Sequence, residues 1–549
     1  MPETTHTYHT HRPVVMGCHG MVAAAHPLAS QAGLRMLLEG GNAFDAAVAA
    51  AATLNVVEPY MSGLGGLGVL VCYVAREQRL RVLNFSGRAP YAARPELYTP
   101  EAQLVGLLAP LVPGNVAGWL TLLETYGSME RQRVLAPAIA YAERGMPITF
   151  SNTAYIANNS HILAQFPTSA QIFLPGGNVP QPGSVLRQQA LAQSLRLLAE
   201  GGQEVFYRGA LAESMVRFIE QHGGLLTRQD LADYEVAWEE PIRTTYRGYD
   251  VYVPPPNTSA FQVLETLNIL EGFDLGALGY GTPETLHLLM EASKLSITDR
   301  IAYAGDPEHH PMPLDVLLSK DYAHTQRQRL DRHQAAVVGG ERAMTERRAA
   351  ALRPGVPAAY SSGCTTHLAA ADAAGNVVTL TQTLGNAFGC GVVVGDTGIF
   401  LNDMAYWFEI DPATESPNLI APWKRVDFCL APMQVLRHGA FFLSLGTPGS
   451  YGILQTTVQM LLHLLDFGMP IQAAIEAPRF RYYEGHRVEM EARFPAETRQ
   501  ALQHLGHQIE VLDPWSPSVG GGQGILRHPQ SGALLGGADP RRDGYVVGF

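Results

Sequence analysis

Residues 361–389 read SSGCTTHLAAADAAGNVVTLTQTLGNAFG. A small, loop-like start stops at Cys364, and 365–371 then reads as a strand. Asp372, Gly375 and Asn376 supply a turn, and 377–383 reads as a second strand, since β-branched arms around Asp, Gly and Asn are hairpin ingredients. The two threonines directly after the loop are chemically pointed. A threonine is a nucleophile when a base lies beside it, and the nearest base to Thr365 is its own α-amine. That amine exists only if the chain is cut between Cys364 and Thr365. The stretch is therefore either the heart of a self-cleaving enzyme or an ordinary hairpin, for a threonine at a strand start is most often simply a β-former.

The rest of the chain narrows the choice. With 549 residues it can bury a large core. A formal charge of −12 argues against a nucleic-acid partner or an anionic membrane surface, because no basic field replaces counterions. No stretch is apolar and long enough to span a bilayer, 46–57 being too short, and the first residues lack the apolar core of a secretory signal, so a cytoplasmic protein is expected. Cys18, Cys72, Cys364, Cys390 and Cys429 are scattered, never in C-x-x-C spacing, and read as reduced thiols rather than metal ligands. His6, His9 and His11 read as a loose terminus and His309–His310 as a loop, so no metal and no cofactor is expected.

Along the chain, 20–25 reads as a strand, 28–38 as a helix stopped by Gly40-Gly41, and 43–54 as a buried helix capped by Asn42. Residues 62–68, SGLGGLG, contain the letters of a dinucleotide fingerprint. They follow a helix and precede strands 69–74 and 80–85, the reverse of what a phosphate site needs, so a tight backbone crossing is the better reading. Helices are expected at 116–126, 134–144, 185–200, 209–222, 261–270 and 283–303, with a strand at 246–253. An exposed linker is expected from 326 towards 364. Short strands (391–394, 398–401, 429–436, 440–445) and a helix at 455–467 follow. A helix-rich first part and a strand-rich last part imply one α+β unit built from two pieces.

Read in order, MVAAAHPLAS from Met21, GGNAFDAAVA from Gly40, SGLGGLG, VPGNVAGW, FYRG, GGLLTRQDLADY, DRIAYAGDP, Thr365-Thr366-His367, DAAGN, TQTL and Gly446-Thr447-Pro448-Gly449 resemble the γ-glutamyltransferase (glutathione hydrolase) family of N-terminal-nucleophile hydrolases. The resemblance implies a four-layer αββα sandwich and self-cleavage between Cys364 and Thr365, giving pieces 1–364 and 365–549. These would hold together as a heterodimer, or as a dimer of heterodimers. Thr365 would be the nucleophile, Thr383 would orient its hydroxyl, and Gly449 and Ser450 would supply the oxyanion hole. The substrate would be a small-molecule amide.

The chain departs from the family pattern around the substrate. Ser86 stands where glutathione-cleaving members carry the carboxylate-binding arginine, with Arg88 two residues on. Gly385 replaces their asparagine, with Asn386 beside it. Met404 and Trp407 occupy the places of the glutamine and aspartate that hold the α-amino group, and Phe428 and Cys429 those of the paired serines. Arg88 and Asn386 are then candidate substrate contacts, and Met404, Trp407 and Phe428 predict an apolar acyl group. The expected activity is a threonine amidohydrolase acting on something other than an ordinary γ-glutamyl amide. A γ-glutamyl hydrolase with a rearranged pocket, and an uncut binding protein, are the competing readings.

Overall fold

The computed structural model describes residues 10–336 and 364–549. Two seven-stranded antiparallel sheets lie face to face. The first runs Tyr545–Gly548, Gly20–Ala24, Cys364–Asp372, Val377–Gly385, Leu67–Val74, Arg79–Phe85 and Ala237–Glu239. The second runs Val15–Gly17, Leu534–Ala538, Gln523–Arg527, Ala440–Gly446, Met433–Arg437, Tyr249–Val253 and Ile242–Tyr246. Helices Pro27–Leu38 and Ala43–Val57 cover the outer face of the first sheet, and Phe261–Leu270, Gly452–Leu465 and Ile471–Glu476 that of the second. This is the αββα sandwich of an α+β protein. Each sheet interleaves strands from before and after Cys364.

Helix Ala43–Val57 is buried along its whole length and starts with a capping box, in which Asn42 and Asp45 satisfy each other's backbone N–H groups. Both arms of the hairpin are buried throughout, since helices pack on one face and the second sheet on the other. Residues of Cys364–Asp372 therefore alternate between two interiors: Leu368 and Ala370 join the helix-side core, Ala369 and Ala371 the inter-sheet core. Polar clasps tie the sheets together there. Gln434 Nε2 donates to the carbonyls of Val71 and Val377 at 3.0 and 3.2 Å, and the Thr379 and Ser444 hydroxyls meet at 2.7 Å.

Several expected elements differ. The single strand at 246–253 is a hairpin, Ile242–Tyr246 with Tyr249–Val253, because Arg247 and Gly248 turn at φ 51° and 81°. The helix expected from 185 starts at Gln189, after a short strand Val185–Leu186. Around 391–401 the strands reduce to isolated bridges, Val393 with Phe400 and Leu401 with Gly65, because Gly395 and Gly398 bend the chain with positive φ. The strand expected from 429 starts at Met433. Helices Phe150–Leu163 and Pro167–Phe173 were not expected. The linker stretch opens inside helix Lys320–Gln328, with Gln326 and Ala335 buried; its remainder, 337–363, and His6 and His9 lie outside the described residues. Among the described residues no helix is long and apolar enough to cross a membrane.

Candidate active site

Thr365 pairs with Thr383 across the hairpin and Cys364 with Gly385, and the register slips between Cys364 and Thr365. Such a bulge breaks the ladder locally and bends the strand. Here it falls on one peptide bond, and the four residues are buried. The Thr365 hydroxyl donates to Thr383 Oγ1 at 3.3 Å, and Thr383 Oγ1 donates to the Cys364 carbonyl at 2.5 Å. The Gly385 N–H fixes Thr383 from behind at 2.8 Å. The proton of Thr365 is thus chained, through one hydroxyl, to the carbonyl oxygen of the bond before it. If Thr365 Oγ attacks that carbonyl carbon, Thr383 can take the hydroxyl proton and pass its own to the developing oxyanion. The C–N bond then breaks as the nitrogen takes up a proton, which frees the α-amine and leaves the Cys364 acyl group as an ester on Thr365 Oγ; water opens that ester to a Cys364 carboxylate and the Thr365 hydroxyl.

Gly385 holds φ at 103°, and a Cβ there would overlap Asp403 Oδ1 and meet the Met404 sulfur at 3.3 Å. The site therefore needs glycine at 385. Asn386 instead clasps Asp403: its N–H and Nδ2 donate to the two carboxylate oxygens at 2.9 and 2.7 Å. Burial pushes the Asp403 carboxyl up to about 7, against those two bonds.

Strand alternation sends Thr366 to the opposite face, where its hydroxyl donates at 2.9 Å to Glu58 Oε2, just past helix Ala43–Val57. Burial pushes the Glu58 carboxyl up to about 7, while the bond from Thr366 pulls it down. His367 returns to the face of Thr365. Its Nδ1 lies 2.8 Å from the Thr381 hydroxyl, and burial lowers its pKa to about 3, so the ring is neutral. The imidazole fills the place of a Cβ on Gly446, which sets the end of strand Ala440–Gly446 against this face.

From Gly446 the chain turns through Gly449 and Ser450, at φ 138° and 56°, into helix Gly452–Leu465. The Gly452 and Ile453 N–H groups bond to the carbonyls of Gly449 and Ser450 at 3.1 and 2.9 Å. The turn therefore stands at a helix N-terminus, which favours negative charge.

Met404, Trp407 and Phe428 are all buried in the core that includes the inter-sheet space. Met404 flanks Gly385, as above. The Trp407 ring packs 4.6 Å from that of Tyr451, the residue after Ser450, and its Nε1–H has no partner among the described residues. Ser86 sits in a buried amide network, accepting from Asn257 Nδ2 at 3.1 Å and donating its N–H to Asn84 at 3.1 Å. Arg88 is engaged elsewhere. Glu308 holds its guanidinium at 2.9 and 3.0 Å and the Trp423 carbonyl accepts from it at 2.9 Å, so its fork is already filled.

Reading the sequence missed Asp403, Glu58 and Arg542, whose Nη1 lies 3.5 Å from the Thr365 carbonyl. The signal for Glu58 was a lone acid ending an apolar helix, and for Asp403 an acid closing the apolar run Ile399–Leu401. The metal-capable trio His287, Glu291 and His507 already has partners. His287 Nδ1 meets His507 Nε2 at 2.8 Å, and Lys294 Nζ donates to Glu291 at 2.6 Å.

The γ-glutamyltranspeptidase family pattern matches residues 29–549. The Acylase ACY 1 proenzyme of Pseudomonas sp. strain SE83 is 38% identical over 550 residues, covering 97% of this chain and 94% of that one. The glutathione hydrolase-like YwrD proenzyme of Bacillus subtilis strain 168 is 38% identical, covering 97% and 99%. Among solved structures, cephalosporin acylase from Bacillus halodurans superposes with a TM-score of 0.89 at 35% identity, covering 100% of this chain and 99% of that one.

Proposed function

The chain belongs to the γ-glutamyltranspeptidase family, a self-processing amide-cleaving enzyme, and from that premise we propose that it is cut between Cys364 and Thr365 and that Thr365 is its nucleophile. Pieces 1–364 and 365–549 stay together as a heterodimer. The observation that carries this reading is the hydrogen-bond chain from Thr365 through Thr383 to the Cys364 carbonyl.

Once free, the Thr365 α-amine has a reference pKa of about 7.7–8.0, close to what a general base needs. It takes the Oγ proton as Oγ attacks a substrate carbonyl, Thr383 orients the hydroxyl, and the N–H groups of Gly449 and Ser450 receive the oxyanion. The amine leaves with the proton from the α-ammonium, and water resolves the acyl-threonine.

The acyl group is apolar rather than γ-glutamyl. Met404, Trp407 and Phe428 would leave a zwitterion's two charges unpaired, at a cost a specific site does not tolerate. The name acylase on similar proteins agrees with this. The scattered cysteines, four of the five buried and none in C-x-x-C spacing, support a cytoplasmic site of action.

A denaturing gel with N-terminal sequencing tests the first half, the expected result being a smaller band beginning at Thr365. A chain that stays whole on incubation overturns it. A panel of anilides tests the second half, with aliphatic and aromatic acyl groups expected to outrun γ-glutamyl; the reverse order refutes the pocket reading.

A further inference from the structure

A cavity of about 290 Å³ is walled by Glu58, Tyr60, Tyr155, Pro517, Arg542 and Asp543, and reaches Thr365 through Arg542. The Tyr60 and Tyr155 rings stack at 4.2 Å on one side. Arg542 is buried, and Gly521 makes room for it, since a Cβ there would meet the arginine Cδ at 2.7 Å. Its guanidinium is poorly served. Nη1 reaches the Thr365 carbonyl and the Met61 sulfur, and Nη2 the Pro517 carbonyl, each only at 3.5 Å. Nε has no partner, and no carboxylate stands within ion-pair distance of it among the described residues. A buried guanidinium so placed is an unmet demand for an anion.

The neighbouring charges do not meet that demand. Asp543 accepts from the Thr149 and Ser151 hydroxyls at 2.8 and 3.0 Å, Glu58 accepts from Thr366, and Arg541 is bound to Glu491 and Asp539. Cys364 is buried in the same helix-side core as Tyr60, and Arg542 and Glu58 of the cavity wall are close enough to act on its thiol. If the cut end at Cys364 withdraws from its place opposite Gly385, the space it leaves adjoins both Arg542 and the new α-amine.

We propose that this cavity is the leaving-amine subsite and that Arg542 recognises a carboxylate carried by the amine. The inference rests on Thr365 being the nucleophile. With the acyl group among Met404, Trp407 and Phe428, the amide nitrogen faces the side that Cys364 vacates. The ester bond forms at Oγ, the C–N bond breaks, and the amine takes the proton of the Thr365 α-ammonium and departs into the cavity.

The test compares 4-nitroanilides and 3-carboxy-4-nitroanilides of one acyl group on cut wild type, Arg542→Gln and Arg542→Lys. Wild type is expected to favour the carboxylated anilide by roughly 10- to 100-fold in kcat/KM, mainly through KM, as a charge-assisted pair predicts. The preference falls to about one in Arg542→Gln and survives in part in Arg542→Lys. Calorimetric titration of the cut proteins with 5-amino-2-nitrobenzoate and 4-nitroaniline reads the same preference without turnover. Equal handling of the two anilides by wild type, or a preference unchanged in Arg542→Gln, overturns the subsite alone. A chain that is never cut overturns the subsite together with the proposed nucleophile.

Discussion

Thr383→Val keeps the volume and branching of the side chain and removes only its hydroxyl. Three contacts end with it: the 3.3 Å bond from Thr365, the 2.5 Å bond to the Cys364 carbonyl and the 2.8 Å bond from the Gly385 N–H. The second receives the oxyanion as the bond is attacked, and loss of one such donor slows a reaction about 10²–10³-fold. The third leaves a buried N–H unsatisfied, which costs about 1–3 kcal/mol of stability. The two effects are separable. Densitometry of denaturing gels after a pulse of synthesis gives the cleavage rate, and thermal melting gives the stability loss. Thr383→Ser, which keeps the hydroxyl, controls for packing and should cut within about tenfold of wild type. If Thr383→Val cuts at the wild-type rate while melting lower, the hydroxyl is only a structural clasp, and the relay from Thr365 to the Cys364 carbonyl is wrong.

Gly385→Ala drives a methyl into Asp403 at a positive φ, so folding should fail or the melting temperature fall steeply, by the equivalent of about 2 kcal/mol or more, with cleavage abolished; circular dichroism and gels read both. Glu58 and Asp403 have folded-state pKa values raised from 4.5 and 3.8 to about 7, so each binds its proton more tightly when folded. The stability this gives is complete below about pH 4 and is lost as pH rises from there through about 7, by up to roughly 3–4 kcal/mol per group. Melting of the uncut Thr365→Ala protein across that window should fall with pH, and adding Glu58→Gln should flatten the fall; an unchanged slope counts against the buried acid. Arg88→Ala removes a half-exposed ion pair with Glu308 worth under about 1 kcal/mol, so chemical denaturation and anilide turnover should both stay near wild type. A large rise in KM would return Arg88 to the substrate site.

Local chemistry made the hairpin legible. The turn at 372–376 closes with the Asp372 N–H on the Asn376 carbonyl at 3.1 Å and Gly375 at φ 89°, as its letters promise. Asn42 likewise announced its helix. Helix Phe150–Leu163 was hidden because its signal is a Thr149–Asn152 capping box in front of a weakly patterned run rich in asparagine and serine. The site divides along the same line. Thr365 and Thr383 stand on two arms of one hairpin, so spacing and turn bring them together. Glu58, Asp403 and Arg542 come from distant parts of the chain and gain their meaning only when the sheets close over them. Arg88 shows the reverse limit: its nearness in sequence to Ser86 gives no sign of the claim that Glu308 makes on it.

The interleaving of the sheets governs the fate of a molecule cut at Cys364. The strand that begins there is hydrogen-bonded on one side to Gly20–Ala24 and on the other to its hairpin partner, so both halves share one core and cannot drift apart as domains do. Unfolding changes the molecularity of the way back. An intact chain refolds as a single molecule, whereas two severed pieces must find each other in solution, at a rate that falls with dilution. Self-cleavage would therefore convert a protein held by equilibrium into one held by the height of its unfolding barrier, and each molecule would have one opportunity to fold before it acquires the amine with which it works.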